Sequence, residues 1–276
     1  MPAPDLGPPI SITRPAHPLA VHFVPAMVPS VSLAGSVVIM IDALRASVTI
    51  ASALASGATA VFPVLTVEAA NAKAAEMQRA GLLRNQLVLG GERGGVLIPG
   101  FDLDNSPLAY TPDRVGGRPV VFTTANGTST LVHAHGAALI LIGALTNLSS
   151  ICRAVASDPR DVHIICSGTR GEISLDDCLA AGAVVERLLE AGRELGSDDS
   201  GLVCLNLWHK AKRSGVLSAM RASRGGRNLV RLGFDADVEL CSTIDAVDLL
   251  PCYDVVTGAI LLRTSSDVSV PRRDAR

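Results

Sequence analysis

The feature of this chain that most restricts its fold is the short apolar run at residues 36–41 (SVVIMI), which ends at Asp42. A strand with apolar side chains on both faces has to be covered on both sides, as the strands of parallel sheets are. A segment of small and apolar residues, 46–57, follows and predicts a helix that ends at Gly57. The run therefore predicts a buried strand in a sheet that carries helices on both faces.

The same alternation of apolar runs and helix-forming segments continues along the chain. Strands are predicted at residues 60–65, 86–90, 118–123, 138–142 and 162–167, and helices at 67–80, 128–134, 151–155 and 175–191. This alternation is typical of an α/β fold, and it predicts a three-layer α/β/α arrangement around a mainly parallel sheet.

The division into domains is predicted from the proline content and from where this alternation weakens. Eight prolines fall within the first 29 residues, so residues 1–35 are predicted to form an extended, loosely held arm. After the arm we predict two α/β lobes, at residues 36–165 and 166–276.

Beyond about residue 197 the alternation is weaker. Residues 202–207 are compatible with a strand, and residues 252–263 predict a terminal hairpin. Between them, residues 208–231 are polar and basic, which is typical of a solvated face. Within that segment, residues 224–227 (RGGR) could instead contact an anion.

Composition excludes several classes of protein. The net charge of −2 argues against a nucleic-acid partner, and no charge-free apolar run reaches the roughly 18 residues of a membrane span. The six cysteines lack CxxC spacing and the proline-rich start does not resemble a signal peptide, so we expect a reduced, cytoplasmic protein. The high apolar content, 48% of residues, leads us to expect a homodimer.

Polar residues collect where the predicted strands end. These residues are Asp42, Arg45 and Ser47; Glu92 and Arg93; Asn126, Gly127 and Thr128; and Gly168, Arg170, Asp176 and Asp177. Ligands of parallel sheets bind beyond the carboxyl ends of the strands. The pattern therefore predicts one cleft lined by carboxylates, guanidinium groups and backbone amides.

Several of these residues also have a purely structural interpretation. Asp42 could cap the helix that follows it. Ser174 and Asp177 have the spacing of a capping box, and Asn126-Gly127 is a common turn pair.

Other known kinds of site are absent or weakly supported. Cys166 ends a predicted strand but lacks the Cys-x5-Arg spacing of cysteine phosphatases, since Glu172 lies six residues on, so we interpret it as a packed thiol. Haloacid-dehalogenase phosphatases have a second Asp where this chain has Leu44, and no P-loop is found. His133 and His135 could bind a metal as a pair, but they are more simply explained as the end of a helix.

Five motifs occur in a fixed order along the chain. They are residues 41–50 (IDALRASVTI), 91–94 (GERG), 100–107 (GFDLDNSP), 123–128 (TTANGT) and 166–177 (CSGTRGEISLDD). Together they resemble the motifs of the 2-phosphosulfolactate phosphatase family, and the similarity continues through residues 226–234, 237–241, Asp245 and Pro251. The resemblance covers about residues 36–255.

The resemblance implies a Mg²⁺-dependent phosphomonoesterase that converts 2-phospho-3-sulfolactate to sulfolactate and phosphate in coenzyme M synthesis. From the residues themselves we predict that Asp42 and Glu92, with Asp176 or Asp177, bind Mg²⁺ through oxygen, the donor type that this ion prefers, and we choose Asp176 as the third ligand. The predicted catalytic residues are Asp42, Arg45, Glu92 and Asp177, with Asp177 orienting the attacking water. The predicted contacts with the small anionic substrate are Ser47, Arg93, Asn105, Ser106, Asn126, Gly127, Thr128, Gly168 and Arg170.

This chain departs from the family pattern at two positions. Asp104 stands where the family usually has Gly, which adds a carboxylate and removes backbone freedom in a predicted ligand loop. Asp176 stands where the family usually has Glu. We expect the first change to affect substrate choice and the second to be mild.

An alternative of a different class is a non-catalytic module that binds phosphate or a nucleotide on the same scaffold. Glycine-rich strand ends and arginines would suffice for binding, so turnover and a metal dependence distinguish the two.

Overall fold

The computed structural model describes residues 18–124 and 126–268. Within them, eleven strands pair in one sheet. In chain order they are β1 (Pro18–His22), β2 (Val37–Ile41), β3 (Ala60–Pro63), β4 (Val88–Arg93), β5 (Val96–Leu97), β6 (Pro119–Thr123), β7 (Leu139–Gly143), β8 (Val162–Cys166), β9 (Glu194–Leu195), β10 (Leu250–Asp254) and β11 (Ala259–Arg263). Across the sheet their order is β5-β4-β6-β3-β11-β10-β7-β2-β8-β1-β9.

The sheet contains two parallel blocks that run in opposite directions. Strands β4, β6 and β3 form one block, and β7, β2, β8, β1 and β9 form the other. The antiparallel hairpin of β10 and β11 lies between them and pairs with β7 on one side and β3 on the other. Because three antiparallel pairings separate β3 from β7, the two blocks have opposite polarity.

Eleven α-helices accompany the sheet in the described part of the chain. They are α1 (Ala46–Ala55), α2 (Val67–Arg79), α3 (Pro112–Val115), α4 (Gly127–His133), α5 (Leu148–Val155), α6 (Leu175–Glu190), α7 (Ser200–Ser214), α8 (Val216–Ala222), α9 (Arg224–Arg231), α10 (Asp235–Cys241) and α11 (Ser265–Val268). None of these helices has both the length and the apolar character needed to cross a membrane.

Both faces of β2 are covered. Val37, Ile39 and Ile41 pack in a core with residues of α5, α6 and α7. Val38 and Met40 pack in a second core with residues of α1 and α4. Successive side chains of a strand point to opposite faces, so an apolar residue at every position requires two apolar layers. The predicted α/β fold with a mainly parallel sheet is confirmed.

The predicted strand at residues 202–207 is wrong, because this segment lies within α7. Cys204, Trp208 and Ala211 recur at helical spacing and are buried against α6. Helix α6 contributes Gly182 at the closest approach, where a Cβ atom would lie 2.1 Å from the carbonyl oxygen of Cys204. The polar and basic segment that follows is also helical, continuing through α8 and α9.

The predicted proline-rich arm is partly integrated into the sheet. Residues 1–17 lie outside the described residues, but β1 pairs with both β8 and β9, so a loosely held arm is wrong for this strand. Strands from both predicted lobes belong to the same sheet, since β10 and β11 pair with β7 and β3. The division at residues 165 and 166 falls inside β8 and stays a prediction.

Candidate active site

The loops that follow β2 and β8 meet the loops that follow β4 and β6. Thr130 in α4 donates a hydrogen bond to the Ser167 hydroxyl after β8 (3.0 Å), and the backbone amide of Arg170 donates to Asn126 Oδ1 (2.9 Å). Thr49 in α1 donates to the carbonyl oxygen of Asn105 (2.9 Å). The carboxyl ends of the two blocks therefore converge.

A cavity of about 390 Å³ lies at this junction. Its walls come from the loops after β2, β4, β6 and β8 and from α9. The predicted site residues that line it are Arg45, Glu92, Asn105, Asn126 and Arg170. A volume of this order is typical of sites for small ligands.

Asp42 is buried at the end of β2, close to the cavity-lining loop. Its Oδ1 accepts a hydrogen bond from the Ala46 amide (3.2 Å), so it does contact the start of α1, as the capping interpretation predicts. The Gly127 amide also donates to the Asp42 carboxylate. Burial raises the pKa of Asp42 to about 7, with further contributions from the charges of Asp176 and Glu92. Three acidic side chains therefore share a region in which their negative charges repel one another.

Asp177 connects the loops that follow β2 and β8. Its Oδ1 accepts from the Ala43 amide (2.7 Å) and its Oδ2 from the Gly168 amide (2.9 Å). Burial, together with Asp176 and Asp42, raises the pKa of Asp177 well above its usual range. Because both oxygens accept backbone hydrogen bonds, the geometry favours a positioning role for Asp177 over the predicted orientation of water. The Gly168 amide, which was predicted to contact substrate, donates instead to Asp177 Oδ2.

Asp176 lies between the start of α6 and the start of α9. Its Oδ1 accepts from the Ser174 hydroxyl (2.9 Å), and the Ser223 hydroxyl also bonds to its carboxyl group. A Cβ atom at Gly225 would lie 3.3 Å from its Oδ2. Burial raises the pKa of Asp176. Ser174 is the N-cap residue of α6 but makes no capping hydrogen bond, so the interpretation as a capping box is wrong.

Glu92 reaches the cavity from β4, which extends to Arg93 and is longer than predicted. Its Oε2 accepts from the Gly95 amide in the turn to β5 (2.7 Å). The preceding Gly91 has φ +141°, and a Cβ atom there would lie 2.0 Å from the Thr123 carbonyl oxygen. Only glycine lets β4 lie this close to β6 while Glu92 is presented to the cavity.

Arg45 is fully buried and paired with a carboxylate. Its Nη1 donates to Asp237 in α10, and its Nη2 donates to the carbonyl oxygen of Gly95 (3.3 Å). The guanidinium group also stacks over the Phe234 ring, 4.4 Å from its centre. Asp237 accepts a second hydrogen bond from the Ser106 hydroxyl (2.8 Å). The cation predicted to clamp an anion therefore already has a buried partner of opposite charge.

The other two predicted arginines differ from each other. Arg93 donates to the Glu92 carbonyl oxygen (2.7 Å), the Thr123 hydroxyl (3.0 Å) and the Leu65 carbonyl oxygen (3.3 Å), and it is not among the residues that line the cavity. Arg170 is exposed, has φ +54° and lines the cavity. Its guanidinium group makes no hydrogen bond or ion pair with any other described residue, so it is the one predicted clamp that is open to a ligand.

Asn105 Oδ1, on a residue that lines the cavity, is buried and lacks a hydrogen-bond partner among the described residues, as does Thr124 Oγ1 in the loop after β6. Buried polar atoms are nearly always satisfied, so the unpaired Asn105 oxygen in the cavity wall indicates a ligand or ion site. Asp104, the departure from the family pattern, accepts instead from the Ser106 amide (2.7 Å) in a local turn. Its carboxylate is not part of the cavity lining.

Three further predicted contacts lie behind the cavity lining. Ser47 accepts from the Asp42 amide (2.9 Å), which holds the turn between β2 and α1. Ser106 and Thr128 are buried, and neither belongs to the lining residues. These side chains shape the loops and do not face the cavity.

Cys166 is buried at the end of β8. A hydrogen bond with Cys178, together with burial, raises the pKa of the Cys166 thiol well above its usual range. A protonated, inaccessible thiol is a poor nucleophile. His133 ends α4 and contacts the Val28 carbonyl oxygen (2.7 Å), in agreement with the interpretation of this histidine as a helix end.

We expect Cys166→Ala to retain at least about half of the wild-type kcat, because the thiol packs in the core and does not face the cavity. Its main effect should be a loss of stability of about 1–2 kcal/mol from the small void. Steady-state phosphate release and a thermal melt measure the two effects. A well-folded but inactive variant would replace the present interpretation with a thiol-phosphate mechanism.

Polar side chains of the site that were missing from the predicted cleft include Asp237, Asn228 and Arg231, and Arg224, which was predicted only as an alternative anion contact. Arg224, Asn228 and Arg231 lie at positions i, i+4 and i+7 of α9, which places them on one face of the helix. That spacing was visible in the segment interpreted as a solvated face. Asp237 gave no such signal, since its partner Arg45 lies far away in the sequence.

Within residues 18–124 and 126–268, no group of three or more His, Cys, Asp and Glu side chains is arranged so that it could hold a metal ion. The negative charges of Asp176 and Glu92 both act on the Asp42 carboxylate, where they add to its raised pKa. The unpaired oxygens of Asn105 and Thr124 add to an all-oxygen donor set. Mg²⁺ usually takes one or two carboxylates, waters and substrate phosphate, so these residues fit it without a complete protein cage.

The chain is similar to known proteins over most of its length. A family model described as 2-phosphosulpholactate phosphatase matches residues 22–255. A protein of Symbiobacterium thermophilum named "probable 2-phosphosulfolactate phosphatase" is 41% identical over 225 residues, which is 82% of this chain and 94% of the relative. Proteins with the same name from Caldanaerobacter subterraneus (37% identity, 83% and 91% covered) and Deinococcus radiodurans (36%, 81% and 92%) are also similar.

Proposed function

Because the chain belongs to the 2-phosphosulfolactate phosphatase family, we propose that it hydrolyses the phosphate monoester of a small 2-phospho acid, with 2-phospho-3-sulfolactate as the expected substrate. The observation that carries this proposal is the cavity itself. It combines guanidinium groups on its wall with buried, mutually repelling carboxylates beside it. A module that only binds phosphate requires the guanidinium groups but does not require the buried carboxylates.

We infer that Mg²⁺ is held by one or two of the carboxylates of Asp42, Glu92 and Asp176, with the side-chain oxygen of Asn105 as a further donor. When bound, the ion would neutralise charge that develops on the phosphoryl oxygens. Burial raises the pKa of Asp42 and repulsion from Asp176 and Glu92 adds to it, and a nearby dication would instead favour the charged carboxylates, which supports this assignment.

The other residues around the cavity have positioning and binding roles in this proposal. Asp177 fixes the two loops that carry Asp42 and Arg170 by accepting their backbone hydrogen bonds. Asp237 holds the guanidinium group of Arg45 at the cavity wall, so that this donor need not reorganise during the reaction. The Arg170 guanidinium group is open to bind an anionic oxygen of the substrate by forked hydrogen bonds.

The test is phosphate release from a panel of esters in the presence of Mg²⁺. We expect 2-phospho-3-sulfolactate to exceed p-nitrophenyl phosphate in kcat/KM by more than about tenfold, or roughly 1.4 kcal/mol. The reason is that remote anionic groups can be used to position the ester. Equal kcat/KM values for the two esters would contradict 2-phospho-3-sulfolactate as the expected substrate. Tight binding of the ester without phosphate release would favour the non-catalytic module. The place in coenzyme M synthesis, the cytoplasmic location and the homodimer stay predictions.

A further inference from the structure

Two of the three arginines predicted to bind the substrate's acid groups already bind other residues of the protein. Arg45 is paired with Asp237, and Arg93 donates to two carbonyl oxygens and to the Thr123 hydroxyl. A substrate with a second acid group would still need a cation that is not already neutralised. The cavity lining supplies such cations from residues 224–231, in the segment whose polar and basic composition is typical of a solvated face.

Helix α9 presents one polar face to the cavity. Arg224, Asn228 and Arg231 line the cavity from successive turns of this face, while Leu229 is buried and anchors the helix. Arg224 pairs with Glu172 and donates to the Thr169 carbonyl oxygen (2.7 Å), so it ties α9 to the loop that follows β8. The helix is thus fixed against the same loop that carries Arg170.

Arg231 is the cation of this face that lacks a carboxylate partner. Its Nη2 donates to Asn228 Oδ1 (2.7 Å), a neutral acceptor, and the described residues provide it with no ion pair. Arg170, on the loop after β8, also has none. Both side chains are exposed and both line the same cavity. Two guanidinium groups without an ion-pair partner among the described residues therefore line one small cavity, where each can donate forked hydrogen bonds to a second anionic group.

We propose that Arg231 and Arg170, with Asn228, form a subsite that binds the carboxylate or sulfonate of the substrate, separately from the phosphoryl group. This inference rests on the proposed function for the identity of the substrate. The planar fork of each guanidinium group matches the paired oxygens of a carboxylate or sulfonate. Binding the acid group here holds the ester in one orientation, so the subsite contributes to kcat as well as to KM.

The test compares Arg231→Ala and Arg170→Ala with Arg227→Ala. Arg227 lies on the same helix, donates to the Ala222 carbonyl oxygen and is not part of the cavity lining, which makes it a matched control. We expect each of the first two variants to lower kcat/KM for 2-phospho-3-sulfolactate at least about tenfold. The loss for p-nitrophenyl phosphate, which has no second acid group, should be at least about fivefold smaller, and the control should stay within about twofold for both esters.

Arg231→Lys keeps the positive charge but loses the planar fork, so its kcat/KM should lie between those of Arg231→Ala and the wild type. Thermal melts of all variants establish that they are folded. Equal losses for both esters in the Arg231 and Arg170 variants would overturn the subsite, as would no loss at all.

A binding measurement separates this inference from the proposed function. Titration calorimetry with 3-sulfolactate, which carries the acid groups but no phosphate, reports on the subsite without turnover. Weaker binding to Arg231→Ala than to Arg227→Ala supports the subsite even if the wild type releases no phosphate from the ester. The absence of phosphate release would contradict the proposed function alone. Equal binding to both variants, or no binding to the wild type, would overturn the subsite.

Discussion

Asp42→Asn is expected to lower kcat for phosphate release by at least about 100-fold, the scale of a lost transition-state contact. The substitution keeps the size of the side chain and one oxygen that can accept from the Ala46 amide (3.2 Å), so its cost to the fold should be limited to the second acceptor, which the Gly127 amide uses in the wild type. It removes the negative charge that we propose to bind the metal. Initial rates at saturating substrate and Mg²⁺, with a thermal melt, measure the two effects.

Asp104→Asn is the matched control for this variant. Asp104 is also a carboxylate in a loop of the site, but it accepts from the Ser106 amide within its own turn, and an Asn can make the same contact. We expect its kcat to stay within about twofold of the wild type. If Asp42→Asn were as active as this control, Asp42 would have a structural role only.

Exhaustive chelation is expected to abolish activity, and added Mg²⁺ or Mn²⁺ is expected to restore it. Without a cation, the buried carboxylates around Asp42 repel one another and burial favours their protonated forms. The proposed site then lacks the positive charge that would face the phosphoryl group. The measurement is phosphate release after EDTA treatment and dialysis, followed by a titration with each cation.

A second readout identifies the ligands. Asp176→Asn should raise the Mg²⁺ concentration for half-maximal activity by at least about tenfold, because an amide oxygen binds a hard cation more weakly than a carboxylate does. Undiminished phosphate release after chelation would remove the metal from the mechanism. An unchanged Mg²⁺ requirement in Asp176→Asn would remove this residue from the metal site.

The sequence predicts most of the elements between residues 36 and 191, because their signals are local. The run that ends at Asp42 has an apolar residue at each position of β2, and two apolar cores cover its two faces. The positions of Glu92, Asn105, Asn126 and Arg170 on the cavity wall also agree with the prediction of one cleft. For Glu92, Asn126 and Arg170, position relative to a strand end was sufficient, whereas Asn105 was predicted from the motif at residues 100–107 that resembles the family.

The partners of the arginines were decided by contacts between distant parts of the chain. Nothing in the sequence near Arg45 or near Asp237 indicates that they pair. Only the packing of α10 against the loop after β2 makes them an ion pair. Arg93 has the same residue type as Arg170, yet its neighbours are carbonyl oxygens. Whether a guanidinium group is open to a ligand depends on what surrounds it in three dimensions, which a motif does not encode.

The convergence of the strand ends is likewise a property of the tertiary structure. Polar residues after each strand are predicted to meet because parallel strands share one carboxyl edge. The hairpin of β10 and β11 inverts one block relative to the other, which in a flat sheet would place Asp42 and Glu92 at opposite edges. The hydrogen bonds from Thr130 to Ser167 and from the Arg170 amide to Asn126 show that the loops at these edges nevertheless meet. The sequence thus determined which residues follow each strand, whereas the strand order and the contacts between loops distant in sequence decided that they form one site, because neither is encoded in a local segment.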